Sequence, residues 1–285
     1  MKKLLLFLSA CALVFAGDSS RYREDFHYSY PQTAGGRFVL ENFNGSVEIT
    51  GWDQNTVDIS GTKYAESESL LNSMHIEASS SGNTVRVKTT RPDPHHGNMG
   101  AKCVIRVPRQ TALEDVASSN GSLRVDDIDG HAHLATSNGS IHLGRINGNV
   151  DAHSSNGSIE VKDVKGDVNF TTSNGGIRAR LHDAPSGHPI RLSTSNGDID
   201  LQVDSLHQND VIATTSNGPI TVRMPANVGA SLHASTNSNG SVRSDFDVLI
   251  HPGELSKHRM EGTIGGGGPK IDLTTSNGNI SLLKM

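Results

Sequence analysis

Charged side chains recur in this sequence at fixed distances from a repeated Ser-Asn-Gly. Four residues after the asparagine stand Arg124, His142, Glu160, Arg178, Asp200, Thr221, Arg243 and Ser281, and seven after it stand Asp127, Arg145 and Asp163. Carboxylates converging with Arg or Lys on one outer face are the equipment of polysaccharide lyases and hydrolases, which need an acid and a base or nucleophile across the scissile bond. The order of the residues favours something plainer. Their signs mostly alternate from copy to copy, as stacked surface charges do to avoid repulsion, and each such exposed pair is worth about 0–1 kcal/mol. Nowhere do the carboxylates concentrate.

Other chemistry is thinner still. His95-His96 beside Asp93 offers imidazoles to a metal, but adjacent histidines in a polar loop lack a third ligand at strand or helix spacing. His131, His133, His142 and His153 fall at different offsets within the repeat. Gly265-Gly266-Gly267-Gly268-Pro269 lacks the Lys-Ser/Thr of a phosphate loop, and no Gly-x-Ser-x-Gly occurs. Of the two cysteines, Cys11 lies in a leader and Cys103 is then alone, so no disulfide framework or thiolate metal site is expected. The expectation is a chain with no catalytic residue, no cofactor and no metal.

The elements that must position these side chains are set by the repeat itself. Its asparagines are Asn120, Asn138, Asn156, Asn174, Asn196, Asn217, Asn239 and Asn277, spaced by 18, 18, 18, 22, 21, 22 and 38 residues. A fixed period means one unit stacked repeatedly. Three residues after each asparagine comes an aliphatic: Leu123, Ile141, Ile159, Ile177, Ile199, Ile220, Val242 and Ile280. Five after it comes usually another, and six and four before it stand pairs such as Val150 with Ala152 and Val168 with Phe170. Spacing of two within each group predicts extended chain with one buried face; the breaks of parity at Asn-Gly predict corners. These features predict an all-β fold: a single β-solenoid of about 18–22 residues per coil, with the eight asparagines stacked as a corner ladder. Asn and Gly both tolerate positive φ there. A meander of hairpins is the alternative, since Asn-Gly between extended runs is also a hairpin signal.

Residues 1–16 read Met-Lys-Lys and then an apolar run too short to span a bilayer, which predicts a signal peptide cleaved after Ala16. Leu8-Ser9-Ala10-Cys11 offers a competing reading as a lipobox, with a lipid anchor at Cys11. Loss of Lys2 and Lys3 leaves 23 basic against 30 acidic residues, a net charge of −7, which argues against nucleic acid as a partner. No second apolar segment of membrane length follows the leader. Residues 17–36, with Tyr22, Phe26, Tyr28 and Tyr30, are expected to run extended as a cap over the first coil. The solenoid is expected over 37–285, degenerate around Asn44-Gly45 and regular over 112–285. One short helix is expected over Ala65–Met74, with Leu70, Leu71 and Met74 on one face.

The strand Ile105-Arg106-Val107-Pro108, the repeated Thr-Ser-Asn-Gly-x-Ile and the closing run from Gly262 to Leu282 together resemble the bacterial putative-adhesin family over about residues 35–285. That resemblance implies a β-solenoid domain in an exported or cell-envelope protein and supplies no catalytic residues. Two functional classes follow. One is a non-enzymatic adhesin or scaffold, in the periplasm, at the cell surface or secreted, presenting polar ladders to a glycan or a surface protein. The other is a glycan-active enzyme on a β-helix. For the first, the candidate binding face is the strand before each corner, where Thr136, Ser154, Thr172, Thr194 and Thr215 recur; the alternative at that offset is an inward-pointing small residue at the edge of the core.

Overall fold

The computed structural model describes residues 22–91, 97–182, 184, 187–237 and 239–285, with backbone only at 251–255. The leader with Cys11, and His95 and His96, lie outside these residues. Each Ser-Asn-Gly copy forms one coil of two strands; in the Asn138 coil, Ala132–Thr136 precedes the corner and Ile141–Asn147 follows it. Like strands of successive coils pair in parallel and in phase, Ile141 beside Ile159, Ile159 beside Ile177, and Asn156 beside Asn174. Hairpins would instead pair each strand antiparallel with its sequence neighbour, so the array is a β-solenoid. The strands before the corners build a thirteen-stranded sheet and those after them a twelve-stranded sheet.

The two sheets share one core. Val150, Ala152, Ile159, Val161 and Val164 of a single coil are all buried; the first four meet counterparts in the coils on both sides, and Val164 meets Ile146. Burial of one such side chain is worth roughly 1.5–3 kcal/mol. Ordering the coil's 18 residues costs about 1–2 kcal/mol each, so stability belongs to the stack rather than to any coil.

At the corners the asparagines form one continuous chain. Asn138 Nδ2 donates to Asn120 Oδ1 at 2.8 Å and Asn156 Nδ2 to Asn138 Oδ1 at 2.9 Å; the series runs on through Asn174, Asn196, Asn217 and Asn277 and ends with Asn239 donating to Asn277 at 3.3 Å. The glycine beside each asparagine is there for closeness: a methyl group added at Gly157 would run into the Gly139 carbonyl of the coil below.

Stacking order departs from chain order at both ends. The coil of Arg37–Asn44 and Val47–Trp52 lies between the coil of Ala112–Asn120 and Leu123–Asp126 and an outer coil made by Thr84–Thr90 and Met99–Pro108. At the other end, Lys270–Asn277 sits between Val211–Asn217 and Ala230–Ser235, and Ile280–Lys284 between Ile220–Met224 and Val242–Ser244. The coil nearest each chain terminus is thus an interior coil. Antiparallel strands close the stack: Tyr22–Pro31 on Thr56–Ala65, His75–Ser81 on Thr84–Thr90, and Val248–Ser256 on Arg259–Ile264. Tyr28 and Tyr30 donate from one sheet to the carbonyls of Ile76 and Ala78 in the other, at 3.2 and 2.8 Å.

The helix spans Glu68–Ser73 and is shorter than the stretch expected. Ala65 remains in the preceding strand, Ser67 caps the helix by accepting from Leu70 N, and Met74 is already extended. Leu71 joins Ala65, Met74 and Met99 in a small second core.

Candidate functional site

The outer face of the twelve-stranded sheet carries the site. In each coil the residue three after the asparagine points inward, the fourth outward, the fifth inward and the sixth outward, as strand alternation requires. Register places Arg124, His142, Glu160, Arg178 and Asp200 side by side on consecutive coils. A parallel column two residues on holds Asp126, Gly144, Lys162, Arg180, Gln202 and Arg223, which line the same groove of about 510 Å³. Its five Arg and Lys side chains outnumber its three carboxylates, a local excess of two positive charges on a chain whose overall charge is negative.

The carboxylates of the groove are engaged. Glu160 faces His142 Nδ1 at 3.4 Å and Arg178 Nη1 at 3.9 Å, and Asp200 is in contact with Arg223. Asp126 folds onto the sheet where Gly144 leaves room, and its Oδ1 accepts from the backbone N–H of Arg145 at 3.0 Å. At the rim, a hydrogen bond from Gln202 holds the Asp204 carboxyl below its ordinary range despite partial burial, helped by His182 at 2.6 Å and Arg180 at 3.6 Å. Arg124 and Lys162 make no side-chain hydrogen bond or ion pair with any described residue.

The column seven after the asparagine does different work. Asp127 adopts φ 60°, and burial, which would raise its pKa, is outweighed by Arg145 at 2.9 Å and Arg109 at 3.5 Å, so it titrates below the ordinary carboxylate range. Arg145 also reaches Asp129 at 3.0 Å. These pairs pin the turn that leads to the next coil.

The candidate face before the corners is corrected by burial. Thr136, Ser154, Thr172, Thr194 and Thr215 are all buried, at 0–4% exposure. Each donates its hydroxyl to the glycine carbonyl of an adjacent coil: Thr136 to Gly121, Ser154 to Gly139, Thr172 to Gly157, Thr194 to Gly175 and Thr215 to Gly197, at 2.9–3.1 Å. They fasten corners. The outward residues of those strands are their neighbours, among them His153, Ser193 and Thr214. Cys103 is equally inert, being buried, with its thiol pushed up to about 12 by desolvation.

Among the described residues no group of three His, Cys, Asp or Glu side chains is placed to hold a metal ion. No helix among them is long and apolar enough to cross a membrane. The profile of the family described as Toastrack DUF4097 matches residues 38–283. The chain belongs to that family. The Toastrack match therefore takes in the coils from Phe38 onward, including both sets of out-of-order coils and the groove. No curated protein matches the chain. Among solved structures, the Toastrack chain is similar to a "putative cell adhesion protein" from Clostridium sporogenes ATCC 15579, at 10% identity over 92% of this chain and 100% of that one, with a TM-score of 0.27. It is also similar to a "putative adhesin" from Bacteroides fragilis NCTC 9343, at 12% identity over 91% and 97% of the two chains, with a TM-score of 0.32.

Sequence reasoning had named the fourth and seventh positions after the asparagine but not the sixth, which supplies Lys162, Arg180 and Arg223. Period-two alternation carried one step further would have found it.

Proposed function

We propose that this chain is a non-enzymatic exported or cell-envelope solenoid, an adhesin or scaffold that engages a glycan or a surface protein through the outer face of its twelve-stranded sheet. The observation that carries this reading is the state of the groove's carboxylates. Each is held by a cation or a backbone N–H, whereas a glycan-cleaving site needs one carboxyl kept protonated near neutral pH. Export through the leader, with release by cleavage after Ala16 or retention through a lipid on Cys11, belongs to the same reading.

A pull-down and glycan-array screen of residues 17–285, with hydrolysis products assayed in the same samples, tests it. Saturable binding of intact glycan or protein is the expected result. Shortened sugars in the supernatant would overturn the reading and return attention to Glu160 and Asp200.

A further inference from the structure

The groove's charges say which glycan it suits. Three carboxylates line it, and each has a partner within the protein: Glu160 faces His142 at 3.4 Å and Arg178 at 3.9 Å, Asp200 contacts Arg223, and Asp126 accepts from the Arg145 N–H. Arg124 and Lys162 are left exposed with no described partner, two coils apart on either side of Gly144. At about 4.8 Å per coil they stand roughly 10 Å from each other along the stack. Arg180 follows Lys162 on the next coil and forms an ion pair with Asp204 at 3.6 Å, its side chain still largely exposed. A cationic track therefore runs obliquely along the stack, from Arg124 in the first column to Lys162 and Arg180 in the second.

We infer that this track binds a linear acidic polysaccharide, its carboxylate or sulfate groups meeting Arg124, Lys162 and Arg180 while the sugar rings lie along the groove. The inference rests on the proposed binding role and gives it a ligand class. Guanidinium groups bind planar carboxylates and sulfates through paired N–H donors, and a flexible ammonium adds a point charge. An acidic peptide fits less well. Peptides dock by adding a strand to an open sheet edge or by filling apolar pockets. The groove lies in the middle of a sheet, and the aliphatic residues beneath it, Val125, Leu143 and Val161, are turned into the core. A neutral glycan is also poorly served, since no aromatic side chain lines the groove for a sugar to stack on.

The test measures binding of residues 17–285 to polygalacturonate, dextran sulfate, uncharged dextran and poly-L-glutamate. It is repeated for a double variant, Arg124→Glu with Lys162→Glu, and for a control, Arg86→Glu with Arg191→Glu. The control makes the same change in net charge on exposed positions of the other sheet. Circular dichroism establishes that both variants keep their strands. The expected result is binding of at least one acidic polysaccharide, weakened at least tenfold by the groove variant, little changed in the control, and falling as salt is raised. Equal loss in both variants would overturn the site, because it would mean that net charge alone drives binding. Tighter binding of poly-L-glutamate than of either polysaccharide would overturn the ligand class. Binding of neutral glycans or proteins without any acidic polysaccharide would sink this inference and leave the broader adhesin reading standing.

Discussion

The middle of the stack and its two ends are built by different rules. From Ala112 to Met224 each coil lies on the one before it in the chain, and like residues meet like. At the ends a later or an earlier segment lies outside, and the coil nearest the terminus is held between two others. The middle is therefore modular and the ends are not. A coil there has only neighbours of its own kind, while an end coil has one regular neighbour and one that must be brought back by an antiparallel excursion.

The largest effect should come from deletions that treat the two regions alike. Removing residues 150–167 takes out one whole coil and brings Val168 to the place of Val150, with which it already pairs. The shortened chain should fold, with unchanged strand content by circular dichroism and a modestly lower Tm. Removing residues 270–285 should do far more. It strips partners from Val211–Asn217 and Ala230–Ser235 at once, and the outer coil should become open to limited proteolysis, with the size-exclusion peak moving from that of the full chain towards aggregates. Comparable outcomes for the two deletions would abolish the distinction drawn between middle and end.

A smaller effect sharpens it at single glycines. Gly157→Ala forces a methyl group against the Gly139 carbonyl in the packed middle and should cost about 1–3 kcal/mol, the usual range for overpacking. Gly266→Ala, in the loop that leads to the last coil, meets nothing within 4 Å. It should be neutral or stabilising by up to about 1 kcal/mol through reduced freedom of the unfolded chain. Urea unfolding of the two variants gives both values.

The smallest effect is that of acid. Asp58, Asp127, Asp204 and Glu261 have lower pKa values folded than unfolded, so the folded chain binds fewer protons than the unfolded one in the carboxylate range. Their contribution is fully present above about pH 5 and is lost as pH falls through about 4 and below. All four are only partly buried, so solvent screening limits their contribution, and Tm should drop by only a few degrees across that range and stay level between pH 6 and 8. A Tm that rises on acidification would contradict the assignment. Since Asp127 lies in the middle and Glu261 in an end, Asp127→Asn and Glu261→Gln would divide the loss between the regions.

This contrast also explains what could be read from the residues alone. The aliphatic phases of Ile141, Ile159 and Ile177 and the recurring asparagines carry the solenoid, because parallel stacking repeats the same contact at the same place. The inward aim of Thr136 and its counterparts was legible too: Val150 and Ala152 point inward, and Ser154 continues the same period of two. The position of the final coil was not. Its Thr-Ser-Asn-Gly-x-Ile is the same as that of any coil, so nothing in its residues says between which neighbours it belongs. The spacing of 38 from Asn239 to Asn277 hinted at an excursion, filled by Val248–Ser256 and Arg259–Ile264, but not at its return to the inside. The groove was legible in part, since alternation places its charges outward, while the folding of Asp126 onto Gly144 needs three dimensions.

The interior placement of the last coil also decides how the molecule would carry a mechanical load. A pull at residue 284 directed along its strand drags Ile280–Lys284 past parallel neighbours on both flanks. The hydrogen bonds of two ladders then bear the force together in shear, where a strand at an outer edge would peel away one bond at a time. A chain tethered through such a coil would yield abruptly and late under tension.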